Sequence, residues 1–346
     1  MSRLVLQGGP FAADCLFLVR GLRCETQFVH SPSRPCDPMI PATAITHVKA
    51  SSVMLTVDTT SEEAFIAIIN ACLSHALANR PAVLDGQIEG VHQMRVAFRR
   101  LRSGLKIFRP LIPREASAAL VEDLRWLNGF LGPARDWDVF LGEGLPPIIA
   151  HFPRKRSLGL FQAKAETLRQ THHRTLREAL NAPRYPQLTQ GIAEWLKHRA
   201  WRHASGKKQR ERLDQSVLDY ARPLLGYGAR RIVKQGGKFA ELSGEERHKL
   251  RIRIKELRYA LDFFASLYPT AGVKAYLSAL ADLQDCLGIM NDITVARRLL
   301  DEARLSAASP ARFLIEGWYG CRLDVHEHAF AELWRRFLEC ERPWVD

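Results

Sequence analysis

From about residue 60 to the C-terminus, apolar residues recur at steps of three and four positions, which is the period of an amphipathic α-helix. Alternation of apolar and polar residues, which is typical of a half-buried strand, is nearly absent from this region. The pattern therefore predicts an all-α protein. The segments that carry the helical period are 62–79, 90–108, 117–130, 159–180, 211–239, 245–267, 273–287, 291–303 and 313–338.

Prolines and glycines separate these segments, as expected where one helix ends and the next begins. Pro110 and Pro113 follow the second segment, and Pro269 and Pro310 occupy comparable breaks later in the chain. Because most connections are short, neighbouring helices are predicted to run antiparallel in up-and-down bundles.

The first fifty residues differ from the rest because no helical period survives there for more than about a turn. We interpret 1–55 as a leader and linker, either poorly ordered or the remnant of an N-terminal region. The helical domain is predicted to span 56–346, with a first half at about 60–200 and a second at about 206–346. The seven scattered cysteines form no CxxC pair, so a reducing, cytoplasmic location is expected.

An internal repeat appears when the chain is compared with itself in the register that places His92 on His248. The match needs no gaps and includes polar and special residues as well as leucines. Its other pairs include Arg95/Arg251, Arg102/Arg258, Phe108/Phe264, Pro113/Pro269, Gly132/Gly288 and Asp136/Asp292. The repeat predicts two antiparallel four-helix-bundle-like halves, related by a pseudo-two-fold axis, whose corresponding helices face a shared cleft.

A cationic stripe lies on one face of the repeated helix in each copy. The segment 91–109 contains no acidic residue, and its apolar side chains fall on an adjoining face. The stripe of the first copy comprises His92, Arg95, Arg99, Arg102 and Lys106, and that of the second comprises His248, Arg251, Lys255 and Arg258.

Like charges one turn apart destabilise a helix, so something outside each stripe must compensate it. Carboxylates on neighbouring helices are one explanation, with Asp123, Asp136, Asp138, Asp292 and Asp301 as candidates. An external polyanion is the other, and it fits the excess of 50 Lys and Arg over 37 Asp and Glu, a net charge of +13. Phosphate is the natural anion because guanidinium groups bind its oxygens in pairs.

The repeated motifs resemble the CHAD family, the conserved histidine α-helical domain. The resemblance rests on His92-Gln93-Met94-Arg95 and Arg99-Arg100-Leu101-Arg102, on His248-Lys249-Leu250-Arg251, and on Leu131-Gly132-Pro133 with Leu287-Gly288. It implies two four-helix bundles about a pseudo-two-fold axis and binding of inorganic polyphosphate in a basic groove, often with association to polyphosphate granules. The nine stripe residues are then the expected polyphosphate ligands, with the two histidines donating hydrogen bonds and strengthening binding at lower pH.

Two departures from the family pattern shape these expectations. Members are often fused behind a CYTH triphosphatase-type domain, and the first fifty residues lack its alternating charged strands, so no triphosphatase activity is expected. In the second copy, Asp262 stands at the position of Lys106 and Glu256 at that of Arg100, so the second half should be less basic than the first.

Two other function classes stay open at this point. A metal-dependent phosphohydrolase would need a carboxylate cluster or an activated nucleophile, and the sequence has no P-loop, HExxH or Gly-x-Ser-x-Gly motif. A nucleic-acid binder could use the same cations but would favour stacking aromatics among them. We expect a binding protein rather than an enzyme, with no cofactor, metal or membrane span, and a weak metal alternative at His92, Asp136 and Asp138.

Overall fold

The computed structural model describes residues 45–345. All regular structure in this range is helical apart from an isolated bridge between Thr60 and Ser216. The α-helices are α1 Ser61–Leu84, α2 Ile88–Ile107, α3 Arg114–Val139, α4 Pro146–His151, α5 Arg156–Asn181, α6 Arg184–Lys197, α7 Trp201–Ala204, α8 Lys207–Leu213, α9 Val217–Gly236, α10 Gly244–Phe263, α11 Thr270–Cys286, α12 Gly288–Glu302 and α13 Pro310–Glu339.

Local sequence explains several helix starts. Thr60 and Glu63 form a capping box at the start of α1, and Ser243 and Glu246 form another at the start of α10. A π-helical turn, Phe140–Gly144, continues the end of α3. The prediction of an all-α fold is therefore confirmed for the described residues.

Helix boundaries repeat in the same register as the sequence motifs. The first residue of α9 is the repeat equivalent of the first residue of α1, and the same holds for the starts of α11 and α3. The helices α10 and α2 correspond at both ends. The copies differ after this point, because α3 is continuous where α11 stops and α12 starts at Gly288.

Contacts between the two copies are reciprocal. The amide of Ser61 donates to the carbonyl of Gln215 at 2.8 Å, and the amide of Val217 donates to that of Thr59 at the same distance. Val217 is the repeat equivalent of Ser61, and Gln215 is that of Thr59, so the second bond is the repeat counterpart of the first. Between α2 and α10, the ion pairs Arg100–Asp262 and Lys106–Glu256 have the same relationship, and the rings of the equivalent residues Phe108 and Phe264 lie 6.0 Å apart.

The buried core is shared by both halves. One large cluster joins residues such as Phe65, Leu101 and Phe108 of the first half to Leu257 and Phe264 of the second. A smaller cluster forms where the end of α3 and the start of α5 meet α12 and α13. Its members include Trp137, Phe161, Leu300, Ile315 and Tyr319. The large cluster holds α2 and α10 in fixed positions, because burial of this apolar surface is the main driving force of folding.

The described part of the predicted leader and linker, residues 45–55, forms an extended segment. The amide and carbonyl of Val48 bond to the side chains of Asn79 and His75, while Leu55 bonds through its backbone to Ser266. Val53 and Leu55 are buried. Residues 1–44 lie outside the described residues.

Candidate anion-binding site

A pocket of about 540 Å³ lies between the two repeated helices, and we call it the central pocket. It brings together cations of both stripes, from α2 and α10. Five of the nine predicted ligands line it, namely Arg95, Arg99, His248, Arg251 and Lys255. The pocket is therefore lined by residues of both copies of the repeat.

Carboxylates neutralise only part of this pocket. Asp136 lies 3.5 Å from Arg95 and 2.7 Å from Arg298, so it is shared between two guanidinium groups. In the described part of the chain, no carboxylate lies within 4.0 Å of Arg99, Arg251 or Lys255. Asp292 and Glu143 also line the pocket, and Asp292 attracts Arg251 electrostatically without forming a close pair.

Two of the unpaired guanidinium groups have buried nitrogens without hydrogen bonds. The Nε atoms of Arg99 and Arg251 are inaccessible to solvent and contact no acceptor among the described residues. Arg99 and Arg258 both lie against the ring of Tyr259, with centroid distances of 5.7 and 5.9 Å. These contacts orient the guanidinium groups but do not neutralise their charge.

The surroundings in the central pocket destabilise the charged forms of its cations. Burial lowers the pKa of Lys255 to about 8, and repulsion from Arg99 and Arg251 contributes to that decrease. Burial likewise lowers the pKa of Arg95 and Arg251. Each cation is partly desolvated and lies next to other cations. An anion that enters the pocket would therefore interact with these groups more strongly than with the same groups in water.

The two predicted histidines have different surroundings. His248 is exposed and lines the central pocket, whereas His92 is half-buried outside it. Burial lowers the pKa of His92, and the nearby charge of Arg135 lowers it further. His92 is therefore mainly neutral near pH 7 in the free protein, which weakens its predicted part in pH-dependent binding.

The remaining stripe residues lie elsewhere. Arg102 and Lys106 line a second pocket of about 290 Å³ between α2 and α3, which we call the α2–α3 pocket. Lys106 also pairs with Glu256, and Arg258 lies against Tyr259 outside both pockets. Seven of the nine predicted residues thus lie in the two pockets, whereas His92 and Arg258 line neither.

The candidate carboxylates other than Asp136 and Asp292 have partners outside the stripes. Asp123 pairs with Arg184, and Asp301 pairs with Arg312. Asp138 is buried and accepts from His173 at 2.8 Å. Among the described residues, no group of three or more acidic, histidine or cysteine side chains is arranged to hold a metal ion.

Comparison with protein families decides the relationship that the motifs suggested. The CHAD domain model matches residues 67–301, more than half of the chain. The chain belongs to the CHAD family. Both repeated helices and most of the central pocket lie within the matched span, and Arg322 of α13 lies beyond it.

One solved CHAD structure agrees with CHAD membership, and a second solved structure shares the fold. The crystal structure of the CHAD domain from the plant Ricinus communis superposes with a TM-score of 0.72 and 30% identity, covering 86% of this chain and 98% of that one. PptA from Streptomyces chartreusis has a TM-score of 0.57 at 15% identity, covering 80% of this chain and all of that chain, which supports the fold alone.

Two uncharacterized proteins of Mycobacterium tuberculosis, from strains CDC 1551 and H37Rv, are each 28% identical over 217 residues. The alignment covers 59% of this CHAD chain and 40% of each relative's length.

Sequence reasoning missed several residues of the CHAD central pocket. Arg322 adds a cation, and Gln284 and Asn291 add amide groups. The repeat could not reveal Arg322, because the equivalent position in the first half is Glu166. Arg322 comes from α13, and only tertiary packing places it near α2 and α10.

Among the described residues, no helix combines the length and apolar character required to cross a membrane.

Proposed function

We propose that this CHAD protein binds inorganic polyphosphate in the central pocket. The observation that carries the proposal is the presence of Arg99, Arg251 and Lys255 in one cavity, from both repeated helices, without a close carboxylate among the described residues. Family membership supports the same ligand class. Phosphate oxygens accept the paired hydrogen bonds that guanidinium groups donate, and they would satisfy the buried Nε atoms.

We infer that a pseudo-two-fold axis relates the two halves and passes between α2 and α10. The reciprocal backbone bonds at Thr60 and Ser216 support this relationship, as do the ion pairs Arg100–Asp262 and Lys106–Glu256. Equivalent residues near such an axis contact each other, as Phe108 and Phe264 do. The axis would present Arg95 and Arg251 to the same ligand from two sides.

Binding would proceed by charge neutralisation at several points. Arg99, Arg251 and Lys255 bind phosphate directly, and Arg95 exchanges part of its contact with Asp136 for a phosphate oxygen. His248 donates a hydrogen bond at the mouth. Because each neutralised phosphate releases counterions, affinity falls log-linearly as salt rises, as it does for nucleic acids.

Nucleic acid is the second candidate, since it offers the same phosphates. The ring of Tyr259 is buried against Arg99 and Arg258, and the pocket-lining residues Phe140 and Tyr319 are also buried, so a base could not stack on these rings. The geometry therefore favours a flexible polyanion without bases. We propose a binding role without catalysis, in the cytoplasm and in association with polyphosphate granules.

A competition experiment tests this function. Labelled long-chain polyphosphate is bound to the protein, and unlabelled polyphosphate, duplex DNA or tRNA is added at equal phosphate concentration. We expect only polyphosphate to displace the label efficiently. Equal displacement by DNA or tRNA would make the site a general polyanion surface.

The same complex also tests for catalysis. Incubation with Mg²⁺ is followed by electrophoresis of the polymer on a denaturing gel. An unchanged length distribution is the expected result, and progressive shortening would identify the protein as an enzyme.

A further inference from the structure

The α2–α3 pocket is a strongly basic concave surface separate from the central pocket. Its cations are Arg102, Lys106, Arg109, Arg114 and Arg125, and no carboxylate lines it among the described residues. Its floor is apolar, formed partly by Leu105 and Ile112. This composition suits a highly charged anion held by long side chains around a solvent-excluding base.

Nearby carboxylates leave most of this charge uncompensated. Lys106 pairs with Glu256, but this pair is exposed and contributes little. In the described part of the chain, Arg102, Arg109, Arg114 and Arg125 have no carboxylate within 4.0 Å. Glu115 and Glu122 share α3 with Arg114 and Arg125, but they project about 80–100° around the helix from the pocket-lining face.

The second copy lacks the cations that form this pocket. The positions that correspond to Arg109, Arg114 and Arg125 are Ala265, Thr270 and Ala281, and Asp262 replaces Lys106. Of the five cations, only Arg102 has a cationic counterpart, Arg258. The basic surface therefore extends from the pseudo-symmetric centre in one direction.

The two pockets are joined by a continuous ridge along α2. From Arg99, which lines the central pocket, to Lys106, which lines the α2–α3 pocket, α2 rises about 10 Å at the helical rise per residue. Arg102 lies between them, and its charge still repels Lys255 in the central pocket. An anionic chain leaving the centre along this ridge would meet a cation at every helical turn.

We propose that the α2–α3 pocket is a second polyphosphate subsite, which holds one arm of a chain whose middle or end occupies the central pocket. The proposal rests on the proposed function. Bound polyphosphate is then asymmetric, extending over the first half only. Chains too short to span both pockets bind at the centre alone.

The test uses the triple variant Arg109→Gln, Arg114→Gln and Arg125→Gln, with Arg125→Gln alone in case the triple variant is unstable. Its control is Lys234→Gln, Lys238→Gln and Lys274→Gln, which removes the same charge from exposed positions of the second half. Affinity is measured calorimetrically for tripolyphosphate and for long-chain polyphosphate over a range of salt concentrations.

We expect the pocket variant to lose about tenfold in affinity for long chains and to lower the salt slope by about one per substituted residue. Tripolyphosphate affinity should match that of the control variant. Equal losses for the pocket and control variants, or an equal loss for both ligands, would overturn the second subsite.

A separate arm of the experiment keeps the two proposals distinguishable. Arg251→Glu alters only the central pocket and should weaken both ligands. If Arg251→Glu leaves both affinities unchanged, the proposed central site is wrong. If it weakens both while the pocket variant behaves like its control, the central site stands and the asymmetric arm does not.

Discussion

The equivalent helices α2 and α10 carry the same motif in different electrostatic surroundings. Arg95 shares Asp136 with Arg298, whereas its counterpart Arg251 has the more distant attractions of Asp292 and Asp285. Arg99 corresponds to Lys255, a residue whose charge burial disfavours. Both copies supply partly desolvated cations to the central pocket, and the first copy continues them as a basic ridge toward the α2–α3 pocket.

Charge reversal at the equivalent arginines gives the largest expected effect. Arg251→Glu should weaken long-chain polyphosphate binding about thirtyfold, or ~2 kcal/mol, because Arg251 has no close carboxylate to release among the described residues. Arg95→Glu should cost less, since Arg95 must first give up part of its contact with Asp136. Fluorescence anisotropy with labelled polyphosphate measures both.

Circular dichroism controls for folding in these two variants, and both should retain wild-type helicity. Equal losses for the two reversals would mean that the ion pair with Asp136 does not distinguish the copies. A larger loss of affinity for Arg95→Glu than for Arg251→Glu would mean that Arg95 is the more important phosphate ligand.

The next effect concerns stability at the contact between the copies. Arg100 is 11% exposed, pairs with Asp262 and lies 4.9 Å from the Phe263 ring centroid. Arg100→Ala should lower the free energy of unfolding by about 1.5 kcal/mol, because it removes a charge-assisted hydrogen bond and leaves Asp262 unpaired. Urea denaturation measures this change.

A charge swap provides the control for that measurement. The double variant Arg100→Asp and Asp262→Arg should recover part of the lost stability, since the pair is re-formed in the opposite sense. If the double variant loses as much stability as its two single substitutions lose together, the ion pair does not couple α2 to α10.

Lys255 should make folding stability and polyphosphate affinity depend on pH, whereas its equivalent in the first copy, Arg99, stays charged. Its pKa of about 8 in the folded protein lies below the ordinary value of 10.5, so the unfolded chain binds more protons between these values. The contribution of Lys255 to folding stability therefore rises with pH across this window. Polyphosphate affinity should move in the opposite direction and fall about fivefold from pH 7 to 9.5, because the charged amine binds phosphate.

Lys255→Arg should remove both pH dependences, since arginine stays charged throughout this range. Titration calorimetry and urea denaturation at matched pH values measure the two trends. If affinity still falls above pH 8 in Lys255→Arg, another group is responsible. If affinity falls mainly between pH 6 and 8, the histidines carry the effect that the sequence predicted.

Much of the fold and of the stripe could be predicted from the sequence, because the two copies of the repeat align without gaps. The helical period predicted the all-α fold, and the predicted segments 245–267 and 273–287 begin within three residues of the starts of α10 and α11. The stripe residues could be selected because helix geometry places His92, Arg95 and Arg99 on one face.

Tertiary packing determines the features that the sequence did not reveal. Arg322 reaches the central pocket from α13, and the sequence contains no periodic signal for it. The partner of Asp136 across the repeat, Arg298, depends on how α12 packs against α3. The split of the stripe between two pockets also depends on α3, because Arg114 and Arg125 meet α2 only in the folded chain.

The smallest expected effect comes from the exposed reciprocal pair Lys106–Glu256. Glu256→Gln should cost about 0.5 kcal/mol of stability at most, because Lys106 is 59% exposed and water screens the pair. The same substitution releases the Lys106 ammonium on the ridge and should raise long-chain affinity about twofold. Lys106→Gln should lower that affinity by a similar factor and remove the benefit of Glu256→Gln in the double variant. Anisotropy titrations at pH 6.5, where Lys255 is charged, separate these changes from the pH effect, and an unchanged affinity in Glu256→Gln would place Lys106 outside the path of the bound chain.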